Sequence, residues 1–504
     1  MALAVPYLLL SCMMTPPLTT AQTERPAPGT DMPPLSPRRK RLMALIVSSL
    51  MMMEQIDGTA LTTALPAMAA DFHVDIPQTS ITLTVYMLGL AALIPASGRI
   101  AERFGNRVTL RWAIVVFLGG SLLGGLAPNL PVLALARLVQ GLGGAMMVPV
   151  GRLVILQNVP KSELMSAMAW VMLTATIGPM AGPVLGGVLT SLLSWRWVFY
   201  INIPLGLLAI GLIGRFIPQV RMPHPPPFDL RGNVWCALAL AGLIFGLELL
   251  THSGTARIMA CALLVLPPVC SVAYIRHAGR VAHPVLDLSL LRVSTFRISV
   301  IAGACTRIAT GGIIFLLPSL LQTRFGASAA QSGLITFIAP MGALVMRFAT
   351  PSLYRARGYR AVMCASSLTL PCVCLLLALY NPAMGTAVLL ALLAVHGMGQ
   401  TTVYTGYNTI AYADMPPARM GAATSLYSTA QQVMLTLGIC FAAGGLTSAR
   451  LVLPPSLQAQ DYRLTFILCG LVAMIALPVL LRLSPNAGAA VSGHDHTATQ
   501  KDRL

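Results

Sequence analysis

Long apolar stretches alternate along the chain with short polar, often basic, ones. A helix crossing the hydrocarbon core of a bilayer needs about 20 residues. Fourteen stretches meet that pattern, near 42–65, 78–98, 108–127, 131–153, 164–190, 195–216, 232–250, 257–275, 298–320, 330–350, 360–380, 386–410, 421–445 and 463–482. Gly and Pro interrupt many of them, which weakens a helix in water but is ordinary in a membrane bundle packed through small residues. The runs are continuously apolar and lack the alternation of membrane-barrel strands. The pattern predicts an all-α polytopic membrane protein with 14 transmembrane helices.

Composition sharpens this. Charged residues make up only 10% of the 504, and hydrophobic ones 56%, with a mean hydropathy of +0.76. A soluble domain carries about 25% charge, so a water-soluble fold is excluded, and the apolar content excludes disorder. The net charge of +18 invites a nucleic-acid partner, but its distribution argues otherwise. Of the 33 Lys and Arg, 24 fall on one side of an alternating topology, from Arg38–Arg41 through Arg99, Arg103 and Arg107 to Arg482. Basic residues collect in cytoplasmic loops, so both termini are expected in the cytoplasm and no nucleic acid as partner. The ten cysteines, among them Cys261, Cys364, Cys372, Cys374 and Cys440, form no CxxC pair and read as small buried hydrophobes. The eight His show no metal-ligand spacing, and no phosphate-cradling GxxxxGK[ST] run is present. No metal, no cofactor and no enzymatic activity are expected.

The chain repeats itself. Asn158-Val-Pro160 and the residues after it reappear as Asp414-Met-Pro416, and Gly105-Asn-Arg107 reappears as Gly358-Tyr-Arg360. Two matched loops at similar offsets suggest homologous halves of six helices each. The expected organisation is a disordered cytoplasmic leader over 1–41, a six-helix bundle over 42–217, a linker with two extra helices over 218–297, a second bundle over 298–482 and a tail over 483–504. Paired repeats in a polytopic protein point to alternating-access transport.

Several segments carry candidate chemistry. The loop after the second apolar segment reads Gly98-Arg-Ile-Ala-Glu102-Arg103-Phe-Gly105-Asn-Arg107, a Gly-bounded turn whose charges suit locking helix ends together. Arg137-Leu-Val-Gln140-Gly141 places a charge inside an apolar segment, where it is costly and usually functional. Gly178-Pro179-Met-Ala-Gly182-Pro183-Val-Leu-Gly186-Gly187 describes a closely packing, bendable helix.

Together these resemble the major facilitator superfamily, in particular its fourteen-span drug:proton antiporter branch. Gly98–Arg107 is similar to the family's loop between spans two and three, Arg137–Gly141 to its span-four signature, and Gly178–Gly187 to its antiporter signature in span five. Asp57–Pro66, Trp195–Gly206, Phe228–Gly232 and Pro284–Leu288 are also family-like. The second-half copy of the loop is eroded, with Pro351 where Gly98 would map. The resemblance implies a major facilitator fold, two six-helix bundles plus two inserted helices, with Gly98, Glu102, Arg103, Gly105 and Arg107 as a cytoplasmic gate.

Three acids lie clearly within apolar segments, Glu54, Asp57 and Glu248. Glu54 and Asp57 are three residues apart and share a helix face, which suits a proton-loading site. The resemblance implies that Asp57 is a key acid. Arg137 could pair with either, as a coupling device or as a permanent packing pair. Gln140, Trp170, Arg307, Tyr404, Tyr407, Asn408 and Gln431 are candidates for a substrate cavity, aromatic with few polar anchors, suited to lipophilic cations. Arg347, near a helix end, could snorkel. The expected function is proton-coupled export of drug-like compounds from a bacterial cell across its inner membrane. An exporter of one narrow physiological substrate is the alternative. Protons, a small-molecule substrate and the lipid bilayer are the expected partners, and a periplasmic adaptor is a further candidate.

Overall fold

The computed structural model describes residues 37–74, 79, 81–159, 161–221, 227–250, 255–327, 329–452, 460–484 and 487. Among these residues every regular element is helical. In chain order they are α1 (Pro37–Phe72), α2 (Ile81–Leu93), α3 (Ser97–Phe104), α4 (Asn106–Gly125), α5 (Leu130–Asn158), α6 (Lys161–Leu192), α7 (Trp197–Tyr200) and α8 (Asn202–Phe216). The middle of the chain forms α9 (Leu230–Leu250), α10 (Thr255–Leu263) and α11 (Leu266–Ala278). There follow α12 (Ser294–Thr323), α13 (Ala329–Thr336), α14 (Ile338–Ser367), α15 (Thr369–Leu379), α16 (Thr386–Ile410), α17 (Met420–Val452), α18 (Asp461–Met474) and α19 (Ala476–Leu481).

Nine helices among the described residues are long and apolar enough to cross a membrane, and two shorter apolar ones lie at Ile81–Leu90 and Leu230–Gly246. That is fewer than the fourteen expected. One reason is local geometry: a single 49-residue run, Gln331–Leu379, takes in two of the expected segments. Its helices join through a kink at Gly358, where φ is 73°. Large apolar side chains face outward on many helices, including Trp112, Leu207, Leu208, Ile258, Phe348 and Leu471. Apolar surface on this scale calls for lipid rather than water. Cys261 and Cys372 also face outward, against the expectation of burial; both sit on the exposed flank of an apolar helix, where a small hydrophobe meets lipid at little cost. Arg347, expected to reach outward, is buried beside Phe348, its guanidinium 5.6 Å from the ring.

The helices group into two compact units. The first comprises residues 1–158, 182–297 and 415–429. Its α1 begins at Pro37, inside the stretch read as leader. Its core gathers Ala60, Leu61, Ala64 and Met68 of α1 around Trp195, Val198 and Phe199. Helices α2 and α5 approach through Gly89 and Gly141: a Cβ on Gly89 would strike the Leu138 carbonyl, and one on Gly141 the Tyr86 carbonyl. That approach matters for the site, because it brings Arg137 within reach of α2. The linker helices belong to this unit. Asp229 caps α9 by accepting from Gly232 N at 2.8 Å and meets His277 Nε2 at 2.7 Å. The Tyr274 hydroxyl both donates to Leu286 O and accepts from Leu286 N, each at 2.7 Å.

The second unit comprises residues 159–181, 298–414 and 430–504. Leu316, Leu317 and Leu320 of α12 pack with Val373, Cys374 and Leu377 of α15 and with Phe466 and Cys469 of α18. At one end Asp461 starts α18, accepts from Arg324 at 3.2 Å and is fully buried.

Candidate functional site: a buried acid cluster

Asp57 of α1 is the centre of a buried polar cluster in the first unit. Arg137 Nη1 donates to its Oδ2 at 2.6 Å. Its Oδ1 accepts from Asn202 Nδ2 at 2.8 Å and from Gln140 Nε2 at 3.2 Å. Gln140 also accepts from Arg137 at 2.8 Å and donates to Ser121 Oγ at 2.7 Å. Arg137 and Gln140 are three residues apart on α5, so they present to one face, and Asn202 is the first residue of α8. Arg137 Nε donates to the Thr82 carbonyl at 3.3 Å. Arg137, Gln140 and Ser121 are wholly buried, and Asp57 and Asn202 nearly so. A charge pair this deep persists only when most of its remaining hydrogen-bonding capacity is met; here donors from two helices converge on one carboxylate, and Arg137 Nη2 alone of the pair's side-chain atoms has no hydrogen-bond partner among the described residues.

Glu54, one turn earlier on α1, is held differently. It is buried and accepts from the Tyr86 hydroxyl at 3.2 Å. Among the described residues no Lys, Arg or His lies within ion-pair distance of it. The ring of Tyr86 carries the Arg137 guanidinium 4.1 Å from its centroid. Tyr86 thereby links Glu54 to the arginine that holds Asp57. The sequence picked out Asp57, Glu54, Arg137 and Gln140, although it placed Gln140 in a substrate cavity; the structure places it on Asp57. Tyr86, Ser121 and Asn202 were not singled out. Asn202 stands inside the Trp195–Gly206 motif, and a polar amide within the apolar 195–216 segment was the available signal.

The stretch read as a turn at Gly98–Arg107 is mostly helix α3, closed by Gly105, whose φ of 86° favours glycine. Gln219 clamps that turn, donating to Phe104 O at 2.8 Å, and Arg107 Nε donates to Ile217 O at 2.6 Å. Arg99 pairs with Glu102 at 3.1 Å and donates to Pro284 O at 3.3 Å. Arg103 is exposed beside Phe104. Gly98 packs on the backbone of Gly421, and Gly421 in turn leaves room only for Glu102. Ser425 donates to Pro95 O, and Arg419 pairs with Asp287 at 2.6 Å and with Ser289. Burial pushes the Glu102 carboxyl up, against the pull of Arg99. Burial also pushes Asp287 up, but donors from Ser289 and Arg419 outweigh it and hold this carboxyl below its ordinary range.

On α6, Gly182 and Gly186 lie against Thr59, Ala60 and Thr63 of α1, where a Cβ would collide. Gly187 faces open space and Gly178 is buried. The side chains of Pro179, Pro183, Trp170 and Glu248 lie outside the described ones. The other cavity candidates come together in the second unit. Arg307 of α12 stacks its guanidinium 4.7 Å from the centroid of Tyr404 on α16. The Tyr404 and Tyr407 rings lie 6.4 Å apart. Gln431 of α17 donates to Asn408 at 3.1 Å, and Thr310 bonds the Tyr404 hydroxyl at 2.9 Å. No group of three or more His, Cys, Asp or Glu that could hold a metal ion occurs among the described residues.

The sequence model of the Major Facilitator Superfamily matches residues 47–439. The transport protein HsrA of Haemophilus influenzae, provisionally named as such, is 31% identical over 449 residues, covering 89% of this chain and 97% of that protein. MdtD of Pectobacterium atrosepticum, whose name assigns it provisionally to multidrug resistance, is 32% identical over 448 residues, covering 88% of this chain and 96% of its own. MdtD of Escherichia coli O6:H1 is 34% identical over 410 residues, covering 81% and 86%. The crystal structure of the human organic anion transporter MFSD10 shares the fold, with a TM-score of 0.64 at 13% identity over 88% of this chain and all of that one. The family match and the relatives' coverage establish a multi-pass membrane transporter, not an enzyme: the chain belongs to the Major Facilitator Superfamily.

Proposed function

We propose that this transporter exports drug-like lipophilic compounds, cations among them, across a bacterial inner membrane in exchange for protons. The MdtD relatives support multidrug efflux as the activity. The observation that carries proton coupling is the unequal treatment of two carboxylates one turn apart. Asp57 is held by Arg137, Asn202 and Gln140, whereas Glu54 has a hydroxyl donor and, among the described residues, no cation. A proton can join or leave Glu54 without breaking an ion pair, and a buried carboxylate without a cation can receive a cationic substrate instead. In this reading Glu54 is the exchange site, and Asp57 with Arg137 is its fixed scaffold. Tyr86 connects them.

The contacts of α3 with Gly421 and Pro284 and of Arg107 with Ile217 support a gate at one membrane face, and the charge bias favours the cytoplasmic one. Fourteen crossings, both termini in the cytoplasm and alternating access belong to the same proposal. The test is efflux of ethidium from cells carrying wild type or Glu54→Gln at matched membrane levels, with and without a protonophore. We expect wild-type efflux to stop when the gradient is collapsed, and Glu54→Gln to lose gradient-driven efflux. Unimpaired, protonophore-sensitive efflux by Glu54→Gln would remove Glu54 from the exchange site.

A further inference from the structure

Arg152 lies on α5, fifteen residues beyond Arg137 and so about 22 Å further along the helix at 1.5 Å per residue. It is 3% exposed. Its Nε and Nη1 are buried and have no hydrogen-bond partner among the described residues, and none of their carboxylates pairs with it. The Tyr427 ring lies beside it, 5.7 Å from the guanidinium carbon to the centroid. Phe296 lies 6.1 Å from that ring. A ring face offsets only part of what it takes to dehydrate a guanidinium. The other buried arginine of α5, Arg137, has a carboxylate, a carbonyl and an amide, with only Nη2 left over; among the described residues Arg152 has none of these.

The surroundings match an oxyanion carried on an apolar body. Tyr427 and Phe296 form a buried aromatic pair on the side of the guanidinium. A planar fork of N–H donors recognises carboxylate or phosphate oxygens in pairs, and the rings supply an apolar wall. An arginine within a membrane-embedded helix normally marks a substrate or ion path.

We propose that Arg152, backed by Tyr427 and Phe296, is a binding site for the oxyanion of a lipophilic organic anion, a subsite separate from the Asp57 cluster. It rests on the export reading above and extends the substrate class from lipophilic cations to lipophilic anions and zwitterions.

The test is calorimetric titration of the purified full-length protein in a neutral, phosphate-free detergent. The probes are 2-naphthoate, the matched cation 2-naphthylmethylammonium and inorganic phosphate. We expect wild type to bind 2-naphthoate, Arg152→Gln to weaken it at least tenfold, and the cation's affinity to stay within twofold. Arg152→Lys keeps the charge but loses the fork, and should weaken 2-naphthoate several-fold. It decides the matter if Arg152→Gln does not fold. No naphthoate binding by wild type, an unchanged naphthoate affinity in the variants, or an equal loss for both naphthyl probes would overturn the proposal. Phosphate competing as well as naphthoate would overturn its lipophilic part. Binding at equilibrium is independent of energised transport, so a failure of the export reading shows in the efflux assay and leaves this result standing.

Discussion

The ring of Tyr86 lies under the Arg137 guanidinium, 4.1 Å from its centroid, while the hydroxyl of the same residue donates to Glu54 at 3.2 Å. The two contacts are separable by mutation. Tyr86→Phe keeps the ring and removes a hydroxyl whose hydrogen bond contributes about 1 kcal/mol. Tyr86→Leu removes both. Melting of the purified protein should drop slightly for Tyr86→Phe and clearly further for Tyr86→Leu. Equal drops would mean that the ring contributes nothing beyond its hydroxyl.

Asp57 and Arg137 form a buried pair, and removing one partner strands the other's charge. Each of Asp57→Asn and Arg137→Gln should be destabilised by about 3–5 kcal/mol, read as a lower melting temperature and less protein in the membrane. The double variant should lose less than the sum of the two. Additive losses would show that the pair is not coupled.

Helix α6 offers an internal control. Gly182→Ala and Gly186→Ala put a methyl group into Thr59, Ala60 or Thr63, whereas Gly187→Ala meets nothing within 4 Å. Alanine is favoured over glycine in a helix by up to about 1 kcal/mol. Efflux and melting should therefore suffer in the first two and be preserved or raised in the third. Three equal effects would show that packing on α1 is not what these glycines serve.

Two carboxylates outside the membrane-length helices, Glu102 and Asp287, set opposite pH dependences. Glu102 is raised, so its contribution to stability is full at low pH and is lost as pH rises through its folded value. Asp287 is lowered, so its contribution is full above the ordinary carboxylate range and is lost as pH falls through its folded value. With unperturbed carboxylates near about 4, Glu102→Gln should flatten the melting curve's pH profile on the alkaline side of that point. Asp287→Asn should flatten it on the acid side. The same change in both variants would contradict the assignment.

Charges within apolar segments announced much of the site. Asp57, Glu54 and Arg137 stood out because a membrane tolerates few such residues. Gln140 was visible too, but its spacing of three from Arg137 was the stronger clue to its place on Asp57. Asn202, Ser121 and Tyr86 carry no charge, and the residues they meet lie far away in sequence, so periodicity alone could not find them. The helical class followed directly from apolar run lengths. Among the described residues nine helices reach membrane length, because breaks and fusions depend on single turns such as Gly358 and on helix ends at Leu93 and Leu263.

Gly105 and Gly358 occupy matching places in the two copies of the repeated loop, and their backbones agree. Their φ and ψ are 86° and 150° at Gly105, and 73° and 167° at Gly358. The side chains around them have diverged, with Pro351 standing where Gly98 maps. The shared bend is thus independent of the side chains that now surround it. It behaves as a fixed joint onto which different attachments have been built, and segments exchanged at these two glycines would meet a chain already pointing the right way.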